Sequence, residues 1–378
     1  MKVTVLFPDQ LQVPVGGLGV VGQKLQQHLG DKVDFTWIGQ PQPNKQSNYL
    51  DTSFPFDIPH GALNTITGQN NYLVNAIKAG KPDLIHAFDW SVFLAGVQAA
   101  EYFNVPLVCS MQLSINALSR IGHTYTADPN SWDGQMIAKT NHQIELLGLQ
   151  KATAIIQVSN AYARYFPDFK DKSVIIQNGI DFDELQTDVR IKLPGHPNRI
   201  KLLYIGRFDY MKGITQLLQT PIPSEIDLII AGSPNGGQSY IYEDILKLQR
   251  TSDNVHYIGH IEGERKKEVL NSVDATIMPS LHEPFGIVGL EAMATNGLLL
   301  TSYADGISDY ANLGNSMYCG TTKESILASL HSLYHFKKGR IEEIKQQART
   351  TALKYSWKSS IEKYFELYKT ERKTHSSL

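Results

Sequence analysis

The chain has 378 residues, with 35 Lys and Arg against 37 Asp and Glu and a formal net charge of −2. That length allows two separate cores, and so even a balance excludes the electrostatic footprint of a nucleic-acid partner or a charged tail. Cys109 and Cys319 lie too far apart in sequence for a metal spacing and read as core residues of a reducing compartment. No apolar run approaches the ~20 residues that span a bilayer, so a soluble cytoplasmic enzyme is expected.

Residues 3–7, rich in Val, Leu and Phe, read as a buried parallel strand rather than a leader segment. A loop over 9–15 precedes Gly16-Gly17-Leu18-Gly19-Val20-Val21-Gly22, which opens a helix continuing over 23–29. Strands at 33–38, 83–88 and 105–111 then alternate with helices at 69–79 and 91–103. Residues 40–53 are polar and bear prolines, so they form an exposed loop. Residues 120–131 lose periodicity and read as a mobile or substrate-facing loop; Tyr125 and Asp128 within it, with Trp132 just after it, are candidates by location alone to line an acceptor site. A helix at 134–149, a strand at 154–158, a short helix at 161–166 and a strand at 173–176 close the series. Such alternation implies a right-handed parallel sheet flanked by helices.

Residues 185–198 break the rhythm with Leu193-Pro194-Gly195-His196-Pro197 and mark a linker. The expected division is a first domain at 1–187, a linker at 188–199 and a second domain at 200–355. The second domain repeats the alternation. Its strands fall at 201–205, 226–231, 255–258, 275–279 and 298–302, and its helices at 213–218, 241–249, 265–271 and 287–294. Finally, Trp357, Ile361, Tyr364, Leu367 and Tyr368 share one helical face, so a helix within 356–378 is expected to pack back on a domain. The fold class is α/β, with two tandem Rossmann-like doubly wound domains facing a cleft.

Three stretches carry chemistry. Gly17-Leu18-Gly19-Val20-Val21-Gly22 fits G-x-G-x-x-G, but a dehydrogenase reading fails on context. A loop separates the glycines from the strand, and the second strand ends Trp37-Ile38-Gly39-Gln40 with no acidic residue for a ribose. The glycines still allow close approach of a ligand, and a helix N-terminus attracts phosphate. Gly206-Arg207-Phe208-Asp209-Tyr210-Met211-Lys212-Gly213 puts a guanidinium fork and a point charge on one strand-exit loop, which suits a diphosphate; two solvated surface cations are the alternative. In His282-Glu283-Pro284-Phe285-Gly286-Ile287-Val288-Gly289-Leu290-Glu291, one carboxylate sits at a strand exit. The other is expected about two turns into the following helix, and both can face one pocket.

Assembled, these stretches resemble the retaining glycosyltransferases of the GT-B fold, especially family 4 and the bacterial glycogen and starch synthases. Gly16-Gly17-Leu18-Gly19 resembles the synthases' first glycine loop, and His86-Ala87-Phe88-Asp89-Trp90 their His-Ala-His-Asp-Trp strand end. Asn178-Gly179-Ile180-Asp181 resembles the turn before their linker, and Glu283 with Glu291 matches the E-x7-E signature. The resemblance implies transfer of a hexose, of glucose type, from a UDP-, ADP- or GDP-sugar to a hydroxyl acceptor such as a saccharide. It implies that Arg207 and Lys212 bind the donor diphosphate in place of a metal, that Glu283 binds the transferred sugar and that Glu291 binds the ribose. Gly16, Gly17, Ile261, Phe285, Gly286 and Ile287 are the further donor contacts, with Asp89 and Gln112 on the acceptor side. No cofactor and no metal are expected, and Asp181-Phe182-Asp183 reads as turn chemistry rather than a metal motif.

Two positions depart from the pattern. Val15 stands where the synthases carry a lysine, and Gln112 where many relatives carry a histidine. Glutamine can bind a sugar hydroxyl but cannot act as a base. His86 is a substitute candidate or a buried structural residue, and Trp90 is a stacking platform or core packing. A sugar-nucleotide epimerase of the same architecture and a diverged nucleotide-sugar-binding protein are the rival readings. No basic amphipathic helix in the first domain favours a lipid acceptor, and oligomeric state is left open.

Overall fold

The computed structural model describes residues 1–8, 17–39, 61–122, 132–234, 239–295, 297–336 and 338–376. Val15, Gly16, Tyr125, Asp128 and the expected loop at 40–53 lie outside the described residues. The chain divides into two compact units, Met1–Gln177 with Lys358–Leu378, and Asn178–Trp357.

In the first unit, β1 (Lys2–Leu6), β2 (Asp34–Ile38), β3 (Leu84–Phe88), β4 (Leu107–Met111), β5 (Ala154–Gln157) and β6 (Ser173–Ile175) form a parallel sheet in the order β2-β1-β3-β4-β5-β6. Strands β3 and β4 are buried along their whole length, as continuous apolar runs covered on both faces must be. The order reverses between β1 and β3, so Asp89, directly after β3, stands at the switch point. The C-terminal helix Trp357–Ser376 belongs largely to this unit, and its stripe Trp357, Ile361, Tyr364, Leu367 and Tyr368 is buried.

That helix explains His86. Its Nδ1 lies 2.6 Å from Tyr368 Oη and its Nε2 2.7 Å from Ser110 Oγ, with no exposed surface. Burial pushes its pKa down to about 3. Both ring nitrogens are committed inside the unit, so His86 is a neutral structural group and does not substitute for the family's histidine.

In the second unit, β7 (Ile200–Ile205), β8 (Ile226–Ala231), β9 (Val255–Tyr257), β10 (Ala275–Met278), β11 (Leu298–Thr301) and β12 (Met317–Tyr318) run in the order β12-β11-β10-β7-β8-β9. Alternation along each strand splits the core. Leu202, Tyr204, Leu228 and Ile230 pack into one cluster, while Leu203, Ile229 and Ala231 pack into another with Leu193, Ile261, Val269 and Leu270. Leu193 therefore seats the proline-bearing stretch on the second unit. Here the order reverses between β7 and β10, which pair only through Leu202↔Ala275 and Leu203↔Thr276. Both strands run on past that ladder, and ligands of such sheets bind in the crevice outside the carboxyl ends of the strands at this point.

Not foreshadowed by the sequence are β12 and the helices Ile115–Ser119, Lys323–His335 and Lys338–Ala352. Among the described residues no helix is long and apolar enough to cross a membrane.

Candidate active site

The crevice of the second unit is built from three loops. After β7, Gly206 to Gly213 makes a tight turn in which Asp209 caps Met211 through its N–H at 3.0 Å. After β10, the chain is stitched to this turn, because the N–H groups of Leu281 and His282 donate to the Met211 carbonyl at 2.8 and 3.2 Å. Gly213 has φ +71°, and a Cβ there would sit 1.9 Å from the Pro279 carbonyl oxygen, so only glycine permits this approach.

After β11, the third loop grips Glu283 at both ends of its peptide. Glu283 N–H donates to Asp305 Oδ2 at 3.1 Å, and its carbonyl accepts from Gly306 N–H at 2.9 Å. His282 Nδ1 lies 2.6 Å from the same Asp305 oxygen. Tyr303 and Asp305 carry positive φ of 57° and 40°, a conformation costly for residues with a Cβ and concentrated where geometry matters. Tyr310 donates to the Gly286 carbonyl at 2.7 Å. Burial raises the Tyr310 phenol well above its usual pKa, with the charges of Glu283 and Glu291 adding to the effect.

Each glutamate has its own lysine. Lys212 Nζ is 2.7 Å from Glu283 Oε2, and Lys266 Nζ is 2.7 Å from Glu291 Oε1 and 2.6 Å from Oε2. Arg207 and Glu283 also converge on Tyr204 at the end of β7. Burial raises that phenol's pKa, Asp209 and Glu283 raise it further, and Arg207 opposes them. The helix starts at Ile287 as expected, capped by Gly286 at φ +87°, and Glu291 therefore lies just over one turn into it, not two. Ile261 and Phe285 are buried at 8 % and 2 % exposure, Ile261 in the Leu203–Ile229–Val269 cluster and Phe285 against Tyr310 and Tyr355. Their side chains serve the core, which leaves backbone for a ligand. Ile287 and Gly286 are the first helical residue and its cap.

At the first unit's edge, Asp89 has φ +60° and points its carboxylate into the protein. Its Oδ1 accepts from the N–H groups of Gln112 at 2.6 Å and Leu113 at 2.9 Å. Next along the chain, Ser114 N–H donates to Tyr162 Oη at 2.5 Å. Glu145 then accepts from Ser114 Oγ at 2.8 Å, Ile115 N–H at 2.7 Å and Asn116 N–H at 3.4 Å. Burial pushes the Asp89 carboxyl up to about 7, against those backbone hydrogen bonds and with a smaller contribution from Glu145. Glu145 itself is raised to about 7 by burial. Gln112 and Trp90 are half-buried, Gly17 is the exposed first residue of helix Gly17–Leu29, and Trp132 is 75 % exposed.

The residues that sequence reasoning missed are Lys266, Asp305, Tyr310 and Glu145. Only Asp305-Gly306 carried a signal, as a turn pair.

A family model for glycosyl transferases group 1 matches residues 186–351, and one for glycosyltransferase family 4 matches residues 15–184. The chain belongs to the family 4 type glycosyltransferases of the GT-B fold. This glycosyltransferase is 26 % identical over 332 residues to an uncharacterized glycosyltransferase of Methanocaldococcus jannaschii, covering 81 % of each chain. It is 25 % identical over 332 residues to the alpha-maltose-1-phosphate synthase of Mycobacterium tuberculosis, covering 82 % of this chain and 81 % of that one. Among solved structures, sucrose-phosphate synthase from Thermosynechococcus elongatus superposes with a TM-score of 0.79 at 16 % identity, covering 98 % of both chains. The glycosyltransferase thus shares its fold with carbohydrate synthases.

Proposed function

We propose that this glycosyltransferase moves a hexose, of glucose type, from a nucleoside-diphosphate sugar to a hydroxyl of a saccharide or small glycoside, with retention at the anomeric carbon. The observation that carries this reading is the meeting of the Arg207–Lys212 turn with the E-x7-E segment at the switch point of the second sheet. There Lys212 lies within 2.7 Å of Glu283.

The donor's diphosphate would take Arg207 and Lys212, which stabilise the negative charge that grows as the nucleotide leaves. No bound metal enters this scheme, because the two cations supply that charge. Glu283, its backbone gripped by Asp305 and Gly306, accepts from hydroxyls of the transferred sugar; Glu291 accepts from the ribose. Backbone N–H groups at Gly286 and Ile287 complete the phosphate and sugar contacts of the second unit. As the glycosidic C–O bond to phosphate breaks, the acceptor oxygen attacks the same face and its proton passes to the leaving phosphate oxygen. Gln112 binds a sugar hydroxyl and moves no proton. The solved structure of Anabaena HepE in complex with UDP-glucose supports a donor of this class.

The test is a thermal-shift screen of UDP-, ADP- and GDP-sugars, followed by product analysis with and without a saccharide acceptor. A donor well above its Kd raises stability by a few kcal/mol, and the anomeric configuration of the product reports retention. Turnover without an acceptor into an epimeric sugar nucleotide, or binding with no turnover on any acceptor, would refute the transfer.

A further inference from the structure

Helix Gly263–Ser272 follows β9 and carries a run of charges, Glu264, Arg265, Lys266, Lys267 and Glu268. Most of them do what surface charges on a helix do. Lys267 pairs with Glu264 at 2.8 Å and Arg265 with Glu268 at 3.6 Å, both one turn apart and each with a partner largely in solvent. Such pairs contribute little. Lys266 behaves differently. It precedes the buried Val269 and Leu270 by one turn on the same face. It reaches across to Glu291 with both side chains shielded, 25 % and 13 % exposed.

The pair is asymmetric at the carboxylate. Lys266 donates a hydrogen bond to Oε1 at 2.7 Å. Oε2 lies 2.6 Å from Nζ, but that contact is not aligned as a hydrogen bond, and the buried Oε2 has no hydrogen-bond partner among the described residues. An acceptor in that state is either a cost of folding or a place kept for a donor that arrives with a ligand. Glu283 needs no help from Lys266, since Lys212 already holds it.

We infer that Lys266 is the positioning residue for ribose recognition: it fixes the Glu291 carboxylate by Oε1 and presents Oε2 to the hydroxyls of a nucleotide ribose. This rests on the donor-site reading above. It adds a specificity element, because a carboxylate held in one orientation discriminates against a sugar lacking the hydroxyl, whereas a loose one turns to water.

The test is calorimetric binding of UDP, ADP and GDP and of their 2′-deoxy and 3′-deoxy counterparts to the wild-type protein and to Lys266→Met, Lys266→Arg and Glu291→Gln. Wild type should prefer the ribonucleotide it binds over at least one deoxy counterpart by about tenfold or more, the size of one hydrogen bond to a charged acceptor. Lys266→Met and Glu291→Gln should both reduce that ratio to within about threefold, and Lys266→Arg should retain most of it. With the matching sugar nucleotide, Lys266→Met should raise KM and leave kcat near wild type, a split that a general loss of folding would not give. An unchanged ratio in Lys266→Met, while wild type binds and discriminates, overturns the assignment and leaves the donor site standing. A wild-type protein that binds none of the nucleotides overturns both.

Discussion

Asp89→Asn should change how stability depends on pH, and the direction is fixed by the burial of that carboxyl. Asp89 is 7 % exposed, and its pKa is carried from 3.8 to about 7 chiefly by burial. The folded protein therefore holds a proton there that the unfolded chain releases above pH ~4, so stability falls as pH rises toward ~7 and levels off beyond it. A displacement from 3.8 to about 7 corresponds to ~4 kcal/mol, of which about 2 kcal/mol falls between pH ~5 and ~7. Asparagine keeps an oxygen for the Gln112 and Leu113 N–H groups and tolerates positive φ, so the substitution removes the titration while sparing the geometry. His86 acts with the opposite sign. Its folded pKa is lowered to about 3, so its contribution grows as pH rises from ~3 toward ~6.5. The diagnostic quantity is thus the wild-type stability minus that of Asp89→Asn, from urea unfolding followed by circular dichroism at several pH values, in which the His86 contribution cancels. That difference should fall by about 2 kcal/mol from pH ~5 to ~7. In a Glu145→Gln background most of the fall should remain, because Glu145 is the smaller cause. A difference that is flat or rises over this range would refute the reasoning.

Three further substitutions probe other parts of the molecule. Lys212→Met should lower kcat by roughly a hundredfold or more with its thermal midpoint near wild type; steady-state turnover of the donor found by screening measures it, and near-wild-type kcat would remove Lys212 from the site. Gly213→Ala should destabilise by more than about 2 kcal/mol, from the αL cost plus a Cβ 1.9 Å from the Pro279 oxygen, read from chemical denaturation. Tyr368→Phe strips His86 Nδ1 of its partner at 2.6 Å and should cost about 1–3 kcal/mol, with faster hydrogen exchange along helix Trp357–Ser376.

Much of the second unit's site was legible because its signals are local. Arg207 and Lys212 lie in one turn, and Glu283 to Glu291 is a single segment. Strand runs and the Trp357–Tyr368 stripe read correctly because periodicity reports burial. What failed to show was nonlocal. Lys266 sits among Glu264, Arg265, Lys267 and Glu268 and looks like any solvated residue until Glu291, 25 positions on, is placed beside it. Asp305 acts on Glu283 from 22 positions away. The depth of Glu291 was overestimated although the helix at 287–294 read correctly, because the step from Ile287 to Glu291 is only about one turn. Asp89 was expected on the acceptor side from the resemblance, and the sequence carried no signal for its side-chain direction. Its conformation at φ +60° turns it inward, and no periodicity encodes that.

The two switch points use carboxylates for opposite purposes. In the second unit, Glu283 and Glu291 are each matched by a lysine, and those ion pairs are partly exposed. A phosphate can compete for such a lysine, and a hydroxyl can reach such a carboxylate, without stripping a deeply buried charge from its partner. In the first unit, no lysine among the described residues pairs with Asp89 or Glu145; they accept from the backbone N–H groups of Gln112, Leu113, Ile115 and Asn116, and Glu145 also from Ser114 Oγ. Backbone donors cannot leave, so those carboxylates fix a loop rather than exchange partners. The raised pKa of each belongs to that design, since burial outweighs the hydrogen bonds that oppose it. A perturbed acid at a switch point would ordinarily be assigned to proton transfer. Here the hydrogen bonds commit Asp89 to Gln112 and Leu113, and Glu145 to Ser114, Ile115 and Asn116, so the two carboxyls hold one loop.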